Sequence, residues 1–214
     1  ILNGIENMAI ANGYFVIITT SHESYEHEKR NIENLVNMRV EGIIACLSQE
    51  TTDFSHISAL KDINMPLILF DRVCLTDQFS SVIADGAQSA QIATQHLLDN
   101  GSKRVAFIGG ANHLDIVKRR KHGYLEALRE NRIPIEKELV VCRKIDYKEG
   151  KIATETLLSL PQPPDAILAM NDTLAFAAME VIKNHGLQIP DDVAIIGYTD
   201  EQHANYVEPK LSAV

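Results

Sequence analysis

Two hydrophobic periods take turns along this chain: short continuous apolar runs, and longer segments whose apolar residues recur every three or four positions. The longer segments read as amphipathic helices, and the continuous runs as strands buried on both faces of parallel sheets. Asn3 to Asn12 puts Ile5, Met8 and Ala9 on one helical face and stops at Gly13, a residue suited to a left-handed cap. A strand Tyr14 to Thr20 is predicted next, then a helix Tyr25 to Arg39 and a strand Ile43 to Leu47. The series continues with a helix from about Asp53 to Ile63, the strand Pro66 to Phe70, the strand Val82 to Ala84, and a helix Ala87 to Asn100 ending at Gly101. Beyond it come the strand Arg104 to Ile108, a helix around Arg120 to Glu130, the strand Leu139 to Cys142 and a helix Lys148 to Leu160. The strand Ala166 to Ala169, a helix Asp172 to Asn184 and the strand Val193 to Ile196 complete it. This predicts an α/β architecture with right-handed βαβ crossovers. The loop Asp71 to Ser81 is longer than the usual connection and is read as a seam between lobes.

With 45% apolar and 23% charged residues in 214, the chain has enough material for one large core or two small lobes. Its net charge of −9 supplies no positive field to hold nucleic acid, so a DNA partner would need another segment. Cys46, Cys74 and Cys142 are odd in number and widely spaced, against both a disulfide framework and a zinc site. The apolar runs are too short to cross a membrane, and no signal segment opens the chain. The chain starts without Met, in what reads as mid-helix, and an upstream piece is expected.

The catalytic motifs are missing. Gly109-Gly110-Ala111-Asn112-His113-Leu114 lacks the spacing of a dinucleotide loop, and there is no P-loop, nucleophile elbow or zinc-protease helix. The eight histidines, His22, His27, His56, His96, His113, His122, His185 and His203, read as surface or turn residues. Polar residues gather instead where strands end, which is where open α/β sheets bind ligands. Asp71 offers two acceptors, Arg120 a planar fork of donors, Asn171 both kinds and Tyr147 a flat face, a set suited to vicinal hydroxyls. Each also has a plain structural use. Asp71 can cap a turn or pair with Arg72, and Asn171 or Asp172 can cap the following helix. Arg120 belongs to the basic cluster Lys118 to Lys121 at a helix start, and Tyr147 can be a half-buried strand-end aromatic.

One run is specific: Ile189-Pro190-Asp191-Asp192-Val193-Ala194-Ile195-Ile196-Gly197-Tyr198, followed by Pro209-Lys210-Leu211-Ser212-Ala213-Val214. With Gly101 to Ile108, Arg120-Lys121-His122-Gly123-Tyr124, Asp146-Tyr147 and Asn171-Asp172 in order, the sequence resembles the ligand-binding core of LacI/GalR transcriptional regulators almost end to end. The resemblance implies two Rossmann-like lobes with parallel sheets, like a type I periplasmic binding protein, joined by three crossovers and truncated at both ends. It implies an N-terminal lobe over residues 1–84 lacking its first strand, a C-terminal lobe over 85–208, and 209–214 returning to the first lobe. A sugar-like or nucleobase-like effector would lie in the cleft, touching Asp71, Arg120, Tyr147, Asn171, Thr199 and Asp200. Thr199 stands where the family often has Asp, and Cys46 where it commonly has a polar group. The resemblance further implies a cytoplasmic homodimer without catalysis, cofactor, metal or membrane contact, reaching operator DNA through an absent N-terminal helix-turn-helix. The alternative is a periplasmic sugar-binding protein of a transport system.

Overall fold

The computed structural model describes residues 1–214, which fall into two compact units, Ile1–Leu67 and Ile68–Val214. The first unit holds α1 (Leu2–Ala11), α2 (Tyr25–Asn37), β1 (Ile43–Ala45) and α3 (Ser55–Asp62). Ser24 caps α2 by accepting the His27 N–H at 3.4 Å, and Glu26 and Glu28 in the first turn face the positive end of the helix dipole. Ile32, Ile43, Leu47, Ile57 and Leu60 are buried.

Two expectations for this unit are corrected. The segment Tyr14 to Thr20 is not a strand: it joins no ladder, and Phe15 is 100% exposed with Tyr14, Ile17 and Ile18 also open to solvent. Apolar β-branched residues favour a pleated surface only when a neighbouring strand completes the hydrogen bonding. Helix α1 forms as expected, with Ile5 and Ala9 half-buried and no residue fully buried. His56 is no surface residue: it is buried, its Nε2 lies 2.9 Å from Glu28 Oε1, and the Tyr25 ring meets it edge-on with centroids 5.3 Å apart.

Glu28, only 6% exposed, is the hub there. Its Oε1 also accepts the Thr51 hydroxyl at 2.9 Å, and its Oε2 accepts the Ser48 N–H. A carboxylate can be taken from water when several donors replace its hydration, and these three do so.

The strand β2 (Leu67–Phe70) begins at the boundary and pairs in parallel with β3 (Ser80–Val82), Ile68 opposite Ser80 and Phe70 opposite Val82. The loop read as a seam thus joins two hydrogen-bonded neighbours. The three-stranded sheet runs β1-β2-β3. Its strands are not buried on both faces as expected: Ile43, Leu67 and Leu69 are inside, whereas Ile44, Ile68 and Val82 meet solvent.

After β3 come α4 (Gly86–Asp99), β4 (Val105–Gly109), α5 (Asp115–Glu130), a 3-10 turn at Lys137–Leu139, β5 (Val140–Cys142) and α6 (Tyr147–Leu158). Then follow β6 (Ala166–Ala169), α7 (Asp172–Asn184), β7 (Ala194–Gly197), a 3-10 turn at Gln202–Asn205 and β8 (Ser212–Ala213). The sheet order is β5-β4-β6-β7-β8, parallel throughout. Every residue of β4 and β6 is buried, as continuous apolar runs require. Helices on the sheet add Leu97, Tyr124, Leu128, Leu157, Leu174 and Ile182 to the core, each large apolar side chain contributing about 1.5 to 3 kcal/mol. The Tyr124 ring stacks on Phe107 at 5.5 Å, and its hydroxyl donates to the Val105 carbonyl at 2.9 Å. The short β8, within the 209–214 segment, was not signalled by an apolar run.

Helix α5 starts at Asp115, not near Arg120 as the basic cluster suggested. Asp115 supplies the favourable first-turn acid, and Val117 continues the buried stripe toward Tyr124. Arg120 therefore sits inside the helix, away from the positive dipole end where repulsion was expected.

Candidate ligand-binding site

The second sheet changes direction at β4, with β5 on one side and β6, then β7, on the other. Loops leaving such strands diverge and open a crevice at the carboxyl ends. Arg120 of α5 reaches this point. Its Nη1 donates to the carbonyl of Met170, just after β6, and its guanidinium lies 3.9 Å from the ring centroid of Tyr198, just after β7. The residue is 8% exposed, and its buried Nε–H has no hydrogen-bond partner. Burial pulls its pKa below the usual arginine value, against the opposing pull of Tyr198, Asp71 and Asp172.

Arg120 and Asp71 line one open cavity of about 290 Å³, with Ile83, Ala84, Gly86, Asp115, Ile116 and Arg119. Asp71 follows β2 in a left-handed conformation, φ 57°. Arg119 is paired with Asp115, Nε to Oδ2 at 2.6 Å, a one-turn pair on α5. In such an open hollow a few convergent polar groups set the orientation of what enters.

The other expected residues have these places. Asn171 caps α7, its Oδ1 accepting the Leu174 N–H at 3.1 Å. Asp172 beside it is fully buried; its Oδ2 accepts the Glu201 N–H at 2.7 Å, whereas Oδ1 has no partner, and burial pushes its carboxyl above the usual range. Thr199 and Asp200 are exposed and both left-handed, φ 92° and 48°, with the Thr199 hydroxyl on the Tyr198 carbonyl. Tyr147 opens α6 but does not line the cavity. Its hydroxyl donates to Glu180 Oε2 of α7 at 2.6 Å, and that bond, with burial and the Glu180 charge, pushes it up to about 12. Lys151 holds the other Glu180 oxygen at 2.6 Å.

The structure thus brings Asp71 and Arg120 to one hollow, sets Asn171, Thr199 and Asp200 in the segments next to Asp172 and Tyr198, and ties Tyr147 to a helix contact. Sequence reasoning missed Tyr198 as the platform beneath Arg120 and the Arg119–Asp115 pair. The second had a signal, since Asp115 and Arg119 stand at helical i,i+4 spacing.

Comparison with known proteins bears on what such a crevice serves. Residues 1–205 match the family model described as periplasmic binding proteins and sugar binding domain of LacI family. The chain is 33% identical to the "Probable HTH-type transcriptional repressor ExuR" of Bacillus subtilis over 220 residues, covering 100% of this chain and 66% of that protein. It is 32% identical to the "Catabolite control protein A" of Priestia megaterium, covering 99% of this chain and 63% of that one. It thus spans just under two thirds of the length of these relatives. Among solved structures, the transcription regulator CcpA of Lactococcus lactis superposes with a TM-score of 0.91 at 26% identity, covering 99% of this chain and 77% of that one. A transcriptional regulator CelR–cellobiose complex superposes at 0.90 with 27% identity, covering 99% and 64%. No helix is long and apolar enough to cross a membrane. With a parallel α/β fold, a polar crevice at its strand ends and these likenesses, the chain belongs to the family of periplasmic binding proteins and LacI-type sugar-binding domains.

Proposed function

We propose that this chain is the effector-binding and dimerisation core of a bacterial transcriptional regulator of the LacI/GalR type. The observation that carries the reading is the shared cavity of Asp71 and Arg120, where a buried guanidinium keeps an unpartnered donor. Its lining draws on Asp71, Ile83 and Ala84 before residue 85 and on Gly86, Asp115 and Arg120 after it. All of them belong to the compact unit Ile68–Val214, and the proposed lobe boundary at residues 84 and 85 runs among them. A small sugar-like molecule seated there favours one lobe orientation, and its differential affinity for the two orientations sets the regulatory shift.

The relatives' printed names, which are those of transcriptional repressors and regulators, support regulation over transport and over catalysis. In this reading the protein works as a cytoplasmic homodimer, without metal or cofactor, and reaches operator DNA through a segment outside the chain. Titration calorimetry after a screen of sugars and nucleosides tests it. Arg120→Ala is expected to weaken the binding found by roughly 1.5 to 3 kcal/mol, because charge-assisted bonds to the ligand are lost. Unchanged affinity removes Arg120 from the site.

A further inference from the structure

Two costly features meet just beyond β7. Thr199 and Asp200 are consecutive non-glycine residues in the left-handed region, φ 92° and 48°, where a β-branched residue is rarely found. Asp172 is fully buried with one oxygen engaged: Oδ2 accepts the Glu201 N–H at 2.7 Å, and Oδ1 has no hydrogen-bond partner. A glycine in place of Thr199 or Asp200 would remove the first cost, and an apolar residue in place of Asp172 the second. A fold keeps such strain only where its surroundings over-determine it, and a half-satisfied buried carboxyl calls for a purpose.

The surroundings are specific to that carboxyl. A Cβ at Gly197 would lie 2.5 Å from Asp172 Oδ1, so only glycine there leaves the carboxyl its place. Helix capping does not account for Asp172, because Asn171 beside it already caps α7 by accepting the Leu174 N–H at 3.1 Å. The carboxyl serves the following turn instead. Thr199 N–H donates to the Val214 carbonyl at 3.2 Å, so the turn is held by backbone at Thr199 and by Asp172 at Glu201. Thr199 and Asp200 themselves stay open to solvent. Burial pushes the Asp172 carboxyl above the usual range, against the Glu201 bond that pulls it down, so the acceptor is kept there at a cost.

We propose that Asp172 is a positioning residue of the ligand site: without reaching the ligand itself, it holds Thr199 and Asp200 in their left-handed turn through the Glu201 amide. This rests on the reading of the crevice as a ligand site, and it assigns the strain a use, since a turn fixed beforehand is not ordered at the expense of binding. The test uses the isotope-labelled 214-residue chain with Asp172→Asn, which keeps an acceptor for the Glu201 amide, and Asp172→Ala, which removes it. Nuclear magnetic resonance reads hydrogen exchange at the Glu201 amide and the backbone shifts of Thr199 and Asp200. Calorimetry with D-ribose, D-glucose, cellobiose and adenosine reads binding.

In the unaltered chain the Glu201 amide is protected although its residue is exposed. Asp172→Asn keeps that protection and the left-handed shifts. Asp172→Ala loses both, and a probe that binds the unaltered chain binds this variant at least about tenfold more weakly. Free exchange at Glu201 in the unaltered chain overturns the proposal, and needs no variant to fold. Unchanged protection and shifts in Asp172→Ala overturn it too, as does an Asn variant as loose as the Ala one. A turn loosened in Asp172→Ala with probe affinity unchanged overturns the positioning role and leaves the ligand-site reading standing. Silence of all four probes on the unaltered chain counts against the parent reading, while the exchange data still decide whether Asp172 holds the turn.

Discussion

Gly123 in the middle of α5 is where the packing can be tested most sharply. A Cβ built there overlaps the Ala87 carbonyl oxygen of α4 and lies 2.8 Å from its carbon and 2.9 Å from the Gln91 nitrogen. All three atoms are backbone, so no side chain can swing aside. Restoring ordinary carbon contact at about 3.5 Å requires α4 and α5 to part by at least about 0.7 Å, and more at the oxygen. The contact they would loosen includes the buried Ala90, Ala93 and Ala127. Against this, alanine gains about 1 kcal/mol over glycine in a helix interior. Overpacking of this kind costs about 1 to 3 kcal/mol, and clash with rigid backbone belongs at the upper end or beyond. The expected net effect of Gly123→Ala is a loss of about 2 kcal/mol.

Gly4→Ala in α1 is the control: nothing lies within 4 Å of its Cβ, so only the propensity gain remains, about 0.5 to 1 kcal/mol of stabilisation. Urea denaturation followed by far-ultraviolet circular dichroism reads both. The displacement also reaches the ligand site, because Arg120 lies one turn from Gly123 and its Cγ is 3.4 Å from where a Gly86 Cβ would be. A Gly123→Ala chain as stable as the unaltered one refutes the claim that this glycine sets the helix spacing.

Three further outcomes are expected. Glu28→Ala leaves the Ser48 amide and Thr51 hydroxyl without their acceptor, lowering stability by about 3 kcal/mol and speeding hydrogen exchange at the Ser48 amide; unchanged protection there contradicts the hub. Burial raises the Asp172 pKa, so the folded chain holds this proton more tightly than the unfolded chain does. Stability from this group therefore falls as pH rises from about 4 through the raised folded value. Asp172→Asn removes the titration, so the stability of the unaltered chain minus that of the variant must decline over this range, and a flat or rising difference sinks the assignment. In a double-mutant cycle, Tyr147→Phe and Glu180→Gln couple by about 0.5 to 1 kcal/mol if their hydrogen bond holds α6 to α7, and additive effects deny it.

The fold was most legible where local pattern and burial agree. Val105 to Ile108 and Ala166 to Ala169 are apolar without a break because helices cover both faces of the second sheet, and hydrophobicity alone reveals such strands. The same signal misled at Tyr14 to Thr20, since strand propensity is local and a pairing partner is not. The start of α5 was hidden because Leu114, its N-cap, has no side-chain acceptor, and the cluster at Lys118 to Lys121 drew the boundary downstream.

At the site, Asp71 and Arg120 stood out as strand-end and charged residues, and they do share a cavity. The arrangement around them was not readable. That Tyr198 underlies Arg120 depends on α5 and β7 meeting, and that His56 faces Glu28 depends on residues 28 positions apart. Tyr147 looked like a free aromatic face because nothing in the local sequence announces Glu180 as its partner.

The uncovered apolar residues Phe15, Ile17, Ile44, Ile68 and Val82 carry a practical consequence at the bench. Environment-sensitive dyes that light up on greasy surfaces will already glow with the native polypeptide, flattening the rise that normally marks a melt. The chain has no tryptophan to serve as an internal reporter. Ligand screens on it therefore call for heat-based or chiroptical detection, with low protein concentration to discourage self-adhesion.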